Sequence, residues 1–341
     1  WSSDVCSSDL QAIASALKAT LTDSEIAQVS DVPTENVAAY ELYLQGRRFS
    51  LGETEIGFES AIELYREALR LDPNFKLAWV GLSLAYINNF WSYGGDISDR
   101  ENARLSIDKA RAIDPDFGEL YMANGAYHYW GLLDYETALF NLDKAIELMP
   151  GNAEAHMWKG WASRRAGLWE QAIESMQTAV RLNPRVEINL LETGQTLGYL
   201  GRYDEAKKLT EKSYEVNPDS FWVKSYLALM SIIVDGDVQR AKTLVVGTQH
   251  TADYNWILPY WQVQMLARDF TKALDMAENW PASAEVNLQF IDLKEILIAE
   301  TLIAMGKVEA AKAKALEGLD RLEKMKLEGV DDYRVAEQAS T

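Results

Sequence analysis

The sequence predicts an all-α fold: a right-handed solenoid of about eight stacked helix hairpins, the last three degenerate. Three observations predict it. A hydrophobic–polar–proline motif recurs as Leu71-Asp72-Pro73, Ile113-Asp114-Pro115, Leu148-Met149-Pro150, Leu182-Asn183-Pro184 and Val216-Asn217-Pro218, its prolines spaced by 42, 35, 34 and 34 residues. Small residues stand five positions before each proline (Ala68, Ala110, Ala145, Ala179, Ser213) and twelve before it (Ala61, Ala103, Ala138, Ala172, Ala206). A third small slot, earlier in each unit, is filled by Gly46, Ser83, Gly125, Gly160 and Gly194.

A 34-residue period closed by proline is the tetratricopeptide (TPR) signature. Proline suits the closing slot because it cannot continue a helix and pushes the preceding residue out of helical geometry. The small slots let the second helix of a hairpin approach the first helix and its neighbour. Trp79, Leu82, Ser83 and Tyr86 complete the bulky–Leu–small–bulky pattern of one first helix.

Residues 39–220 therefore divide into five clear repeats, at about 39–74, 76–117, 118–152, 153–186 and 187–220. The turn of repeat one is lengthened through Leu51–Phe58. In repeat two the eight extra residues fall between Tyr86 and Ala103. They include Asn88-Asn89-Phe90-Trp91-Ser92-Tyr93-Gly94-Gly95, read as a long turn. Two roles stay open for its aromatics, a lid over a groove or filler against neighbouring helices. Residues 221–319 read as degenerate hairpins, marked by Ala228 and Ala241, by Asp269-Phe270 before Ala273, and by Gly306 before Ala311. Residues 320–341 read as a capping helix to about Leu327 and a tail.

Composition restricts function. The 341 residues hold 33 Lys and Arg against 52 Asp and Glu, a net charge of −19. That balance disfavours binding to nucleic acid or anionic lipid, both of which need clustered cations. One cysteine and three histidines leave little for a disulfide framework or a metal centre. His128 and His156 occupy packing positions, and no nucleophile elbow or phosphate-cradling loop is present. No catalytic residue, metal ligand or cofactor is expected. No signal peptide or apolar run of membrane-spanning length is found, so a cytoplasmic location is expected. Residues 1–10, WSSDVCSSDL, back-translate to a common short-read sequencing adapter; they are read as an artefact fused to a truncated gene, which assigns Cys6 to the artefact.

An array of hairpins binds through the face lined by its first helices. The repeat register places the second, fifth, ninth, twelfth and thirteenth residues there. These are Glu119, Met122, Ala126, Tyr129 and Trp130 in repeat three, and Glu154, Met157, Trp161, Arg164 and Arg165 in repeat four. Repeat five supplies Ile188, Leu191, Gln195, Gly198 and Tyr199, and repeat six Trp222, Ser225, Leu229 and Ile232. The Lys and Asn that clamp a terminal carboxylate in many chaperone-binding TPR domains are absent at positions five and nine. The expected groove, centred on Met122, Tyr129, Trp130, Met157, Trp161, Arg164, Arg165, Gln195 and Tyr199, suits a protein or peptide with an apolar segment. Two duller roles stand beside this: the aromatics as core, and Arg164-Arg165 as partners of neighbouring acids such as Glu154. An oligomerisation or spacer role is the alternative function, with Trp256, Tyr260 and Trp261 as a self-association patch.

The run Pro33-Thr34-Glu35-Asn36-Val37-Ala38-Ala39-Tyr40-Glu41-Leu42-Tyr43-Leu44-Gln45-Gly46-Arg47 resembles the junction that opens the repeats of bacterial TolB-like/TPR regulatory proteins. Gln11–Leu21 is similar to the last helix of their TolB-like domain, which makes 11–38 a domain remnant and linker. The resemblance implies the C-terminal scaffold of a larger regulator, whose upstream part is a winged-helix DNA-binding domain or an adenylate/guanylate cyclase. No catalytic or DNA-contacting residue carries over.

Overall fold

The computed structural model describes residues 33–50, 55–93, 97–246, 254–280 and 293–327. Sixteen α-helices and no strand occur among them. The helices are α1 (Val37–Ser50), α2 (Glu55–Leu71), α3 (Lys76–Tyr93), α4 (Ile97–Ile113), α5 (Gly118–Ala126), α6 (Tyr135–Leu148), α7 (Ala153–Arg165) and α8 (Trp169–Leu182). They continue as α9 (Glu187–Tyr199), α10 (Tyr203–Val216), α11 (Phe221–Asp235), α12 (Val238–Leu244), α13 (Tyr254–Leu266), α14 (Phe270–Glu278), α15 (Lys294–Ala304) and α16 (Val308–Leu327). The fold class expected from the repeats is the one observed. Two compact units divide between Tyr127 and His128, with Trp91 grouped with the second.

Each proline motif does what its chemistry requires. α2, α4, α6, α8 and α10 all end two residues before a proline. The last helical bond in each is accepted by the small residue of the motif: Asp72 N–H bonds Ala68 O at 2.9 Å, and Asn183 N–H bonds Ala179 O at 2.9 Å. The ten small residues at the two second-helix offsets are fully buried, and so are Ala228, Ala241, Ala273 and Ala311 of the degenerate hairpins.

In the first unit the small slots enclose an aromatic ring. A Cβ added at Gly46 or Gly81 would stand 2.8 or 2.7 Å from the Tyr65 ring, so α1 and α3 close on it from two sides. Tyr43 and Phe75 extend this core, with ring centroids 5.0 Å apart. The pre-repeat residues act locally. Asn36 Oδ1 accepts the Ala39 N–H at 3.1 Å as a cap, and its amide donates to Leu71 O at 3.2 Å.

In the second unit the glycine slots face both backbone and side chain of the second helix. A Cβ at Gly160 would collide with the Met176 side chain and stand 3.3 Å from Ala172 O; one at Gly194 would meet Ala206 O and Thr210 Oγ1, both at 3.1 Å. The turn after each first helix is left-handed, at Leu133, Gly167, Gly201, Gly236, Arg268 and Gly306. Leu168 N–H bonds Ser163 O at 2.8 Å and Arg202 N–H bonds Leu197 O at 3.0 Å, satisfying helix-end carbonyls. In repeats three and six the matching bonds reach one residue further back, from Asp134 to His128 O and from Asp237 to Ser231 O, both at 2.9 Å. Those two repeats also run eighteen residues from proline to turn, against seventeen in repeats four and five. In repeat three the extra residue is held in a π-helical turn, Tyr127–Gly131.

Three expectations of detail are corrected. Asn88–Tyr93 is not a turn but the last part of α3, because no helix breaker occurs before Gly94. Its Asn88 amide bonds Leu84 O at 2.8 Å. Glu55–Phe58 of the expected long turn already belongs to α2. The expected separate cap at 320–327 is continuous with the second helix of repeat eight, as α16. Residues 1–32, including the adapter-like start and Gln11–Leu21, lie outside the described residues, as does His250.

Two outcomes test this packing. Ala172→Leu places three further carbons at a fully buried helix contact and is expected to cost roughly 1–3 kcal/mol in denaturant unfolding. The second concerns pH. Lys76 Nζ bonds Asp114 Oδ2 at 2.8 Å and holds that carboxyl below its ordinary value. A depressed folded-state value contributes stability above the unfolded value, near 4, and loses it as pH falls toward the folded one. Asp114→Asn is therefore expected to melt below wild type at neutral pH, with the gap closing below about pH 4.

Candidate functional site

The site residues that remain accessible lie on α7, α9 and α11. The centre of the site is a polar node across two repeats. Trp161 Nε1 donates to Glu192 Oε2 at 3.1 Å, and Arg164 Nη2 reaches the same oxygen at 3.0 Å. Arg164 Nη1 donates to Thr196 Oγ1 at 3.0 Å, and its guanidinium lies 5.9 Å from the Tyr199 ring centroid. Thr196 in turn donates to Glu192 O at 2.8 Å. The Arg164 and Glu192 side chains are only 15% and 19% exposed, so the pair is largely desolvated. Such a pair is costly to break from one side, because the remaining charge stays buried.

Beside the node runs a row of aromatic rings. Trp130 meets Trp158 edge-on at 5.4 Å and Trp161 at 6.1 Å between centroids. Tyr129 lies 5.3 Å from Trp130 and 6.5 Å from Trp91. Burial pushes the Tyr129 phenol up, while the charge of Arg165, hydrogen-bonded to it, pulls the other way.

The structure separates the expected groove residues into two sets. Met157 (2% exposed), Met122 (4%), Tyr129 (6%) and Trp130 (8%) are packed inside and do not line an open face. This corrects their placement, for two physical reasons. The fifth repeat position is buried throughout, as Leu191 and Ser225 also are. In repeat three the extra residue of the π turn displaces the count. Measured back from the left-handed turn, Tyr129 aligns with Ser163 and Leu197, both fully buried. Trp161, Arg164 and Gln195 are half-buried, Arg165 is exposed and Tyr199 is 68% exposed. Exposed Trp222 on α11 adds to this second set. Arg164 does pair with an acid, but with Glu192 rather than Glu154. Glu192 and Thr196 carry no repeat signature and were legible only as polar residues one helical turn apart on α9.

Phe90 and Trp91 behave as filler: both are half-buried, Phe90 under the Arg100 guanidinium at 5.9 Å and Trp91 against Tyr129. The proposed self-association patch loses one member to the core. Trp261 is buried against Trp280, Leu297 and Ile298, with its indole N–H on Thr301 Oγ1 at 3.2 Å. The Trp256 side chain lies outside the described residues. His128 bonds Asp134 and His156 bonds Pro150 O, and no metal-binding group occurs among the described residues. No described helix is long and apolar enough to cross a membrane.

Residues 132–213 match the family of anaphase-promoting complex, cyclosome, subunit 3. The chain is 28% identical over 177 residues to human protein O-mannosyl-transferase TMTC1, covering 50% of this chain and 19% of that protein. It is 30% identical over 188 residues to mouse superkiller complex protein 3, covering 54% and 12%. The chain thus spans under a fifth of either relative. The fold is similar to that of a tetratricopeptide repeat protein from Parabacteroides merdae, at a TM-score of 0.50 and 15% identity, over 78% of this chain and all of that one. Spacing, packing and these similarities together define a TPR-type repeat domain.

The node predicts a contrast between adjacent arginines. Arg164→Met leaves Glu192 buried without its cation and is expected to destabilise by about 1.5–3 kcal/mol. Arg165→Met leaves the buried Tyr129 phenol without its partner but strands no charge, and is expected to cost less, about 1–1.5 kcal/mol; guanidinium unfolding of the two variants measures the difference.

Proposed function

We propose that this chain is a non-catalytic interaction scaffold which binds a protein or peptide segment along the outward face of α7, α9 and α11. The supporting observation is that the first helices α7, α9 and α11 keep large side chains accessible: half-buried Trp161 and Gln195, and exposed Arg165, Tyr199 and Trp222. Aromatic side chains and arginine are those most enriched at binding hot spots. The node beneath them holds α7 to α9, so the face is ordered before a partner arrives, which lowers the entropic cost of binding. An apolar segment with one acidic residue suits rings set beside Arg165. The likeness of Pro33–Arg47 to the TolB-like/TPR junction supports a place for this scaffold at the C-terminal side of a bacterial cytoplasmic regulator.

A peptide array probed with wild type and with the double variant Tyr199→Ser/Trp222→Ser tests the face. Both residues are surface-exposed, so the fold is expected to survive. Wild type should select sequences rich in apolar residues, and the variant should lose most of them. Identical selection by the two proteins discards this face.

A further inference from the structure

α16 carries a second stripe beside the one it buries. Ala311, Gly318 and Leu322 are buried toward α15, where a Cβ added at Gly318 would stand 2.6 Å from Ile296 Cδ1. Lys312, Leu316, Leu319 and Glu323 follow one another at intervals of four, three and four residues, the spacing of one helical stripe. All four are exposed, Leu316 by 57%. A leucine is out of keeping at that place. Five residues after the buried alanine, α2, α4, α6, α8 and α10 carry Arg66, Asp108, Asp143, Gln177 and Glu211. A further hairpin would cover Leu319, whose counterpart Leu69 on α2 is buried, but it gives no reason for an apolar residue at 316. The charges that flank the leucines are also left over. Lys314 pairs with Glu317 and Lys324 with Asp320, each at 2.6 Å, and Arg321 with Glu295 at 3.2 Å. Lys312 and Glu323 have no ion pair among the described residues.

From the order of these side chains we infer that α16 pairs antiparallel with α16 of a second copy of this chain, about a two-fold axis midway between Leu316 and Leu319. That axis sets Leu316 against the partner's Leu319 and Lys312 against the partner's Glu323, and symmetry makes each contact twice. Positive, apolar, apolar, negative is complementary to its own reverse, so one stripe supplies both halves of the interface. A parallel pairing would instead oppose like charges at both ends, which is unfavourable. The net charge of −19 opposes association over most of the surface, whereas this stripe is locally neutral. The contact closes on itself and stops at two copies. A single helix pair is small against the about 1,200 Å² of a stable specific interface, so the dimer is weak.

Sedimentation equilibrium of the full chain from about 1 to 500 μM tests the pairing. The expected result is a monomer–dimer equilibrium that does not proceed to larger species. Leu316→Asp, at an exposed side chain, should keep the wild-type melting curve and raise the dimer dissociation constant by about tenfold or more. Lys312→Glu and Glu323→Lys should each weaken the dimer by about three- to tenfold at low salt. The double variant should restore it, because the exchanged residues again oppose unlike charges. A chain monomeric throughout that range overturns the inference; cover of the stripe by residues 328–341 of the same chain would give that result. A dimer that Leu316→Asp leaves unchanged also overturns it, as does a double variant as weak as the single ones.

Discussion

A second helix can lie against its own first helix and against the next one only where nothing larger than a methyl group intervenes. That constraint explains more of this chain than any other. Ala61, Ala103, Ala138, Ala172 and Ala206 are fully buried, although their neighbours range from Ser60 to Gln171. Across the interface the facing slot is glycine or serine, and at Gly160 and Gly194 the nearest atoms include a backbone carbonyl of the partner helix. Close approach at two points fixes how the pair meets, and the bulky residues between those points then fill the remaining space. Tyr65, gripped between Gly46 and Gly81, shows the same rule with a ring in place of a carbonyl.

The constraint acts on contacts rather than on length, which is why repeats of unequal length coexist. An extra residue in repeats three and six is absorbed at the end of the first helix, where a wider turn reaches back one more residue. The second helices remain in step. Where the turn needs a left-handed residue, glycine stands four times out of six, and Leu133 and Arg268 adopt it at a steric cost of about 1–2 kcal/mol each. Hairpins that look degenerate in sequence keep the same turn and the same buried alanine.

This sets what was legible in advance. Proline, glycine and alanine act through backbone and close approach, so their spacing reveals hairpins directly, out to Ala273 and Ala311. Orientation of the intervening large residues is a different matter. It depends on phase, and one inserted residue rotates everything after it by about a quarter turn or more. Tyr129 was misplaced for that reason, and Trp130 because Trp158 and Trp161 cover it. Met122 and Met157 were misplaced for another: an apolar side chain on an amphipathic helix is compatible with either face, and only the neighbouring helix decides. The long turn expected after Asn88 failed similarly, since extra length there extends α3 instead.

Polar side chains follow neither logic. Glu192 carries no pattern that points back to Arg164, because their meeting depends on how α7 and α9 are brought together by small residues elsewhere. The same holds for Lys242 and Lys272, which share Asp269 Oδ2 only once α12 and α14 are brought together. In a repeat array the positions that build the scaffold are periodic by necessity, since each unit must fit the next. Positions that distinguish one array from another are free of that necessity and fall where the period is silent. What sets this array apart is therefore sought at its aperiodic polar groups, such as the Arg164–Glu192 node, and at the side chains left accessible around it, such as Tyr199.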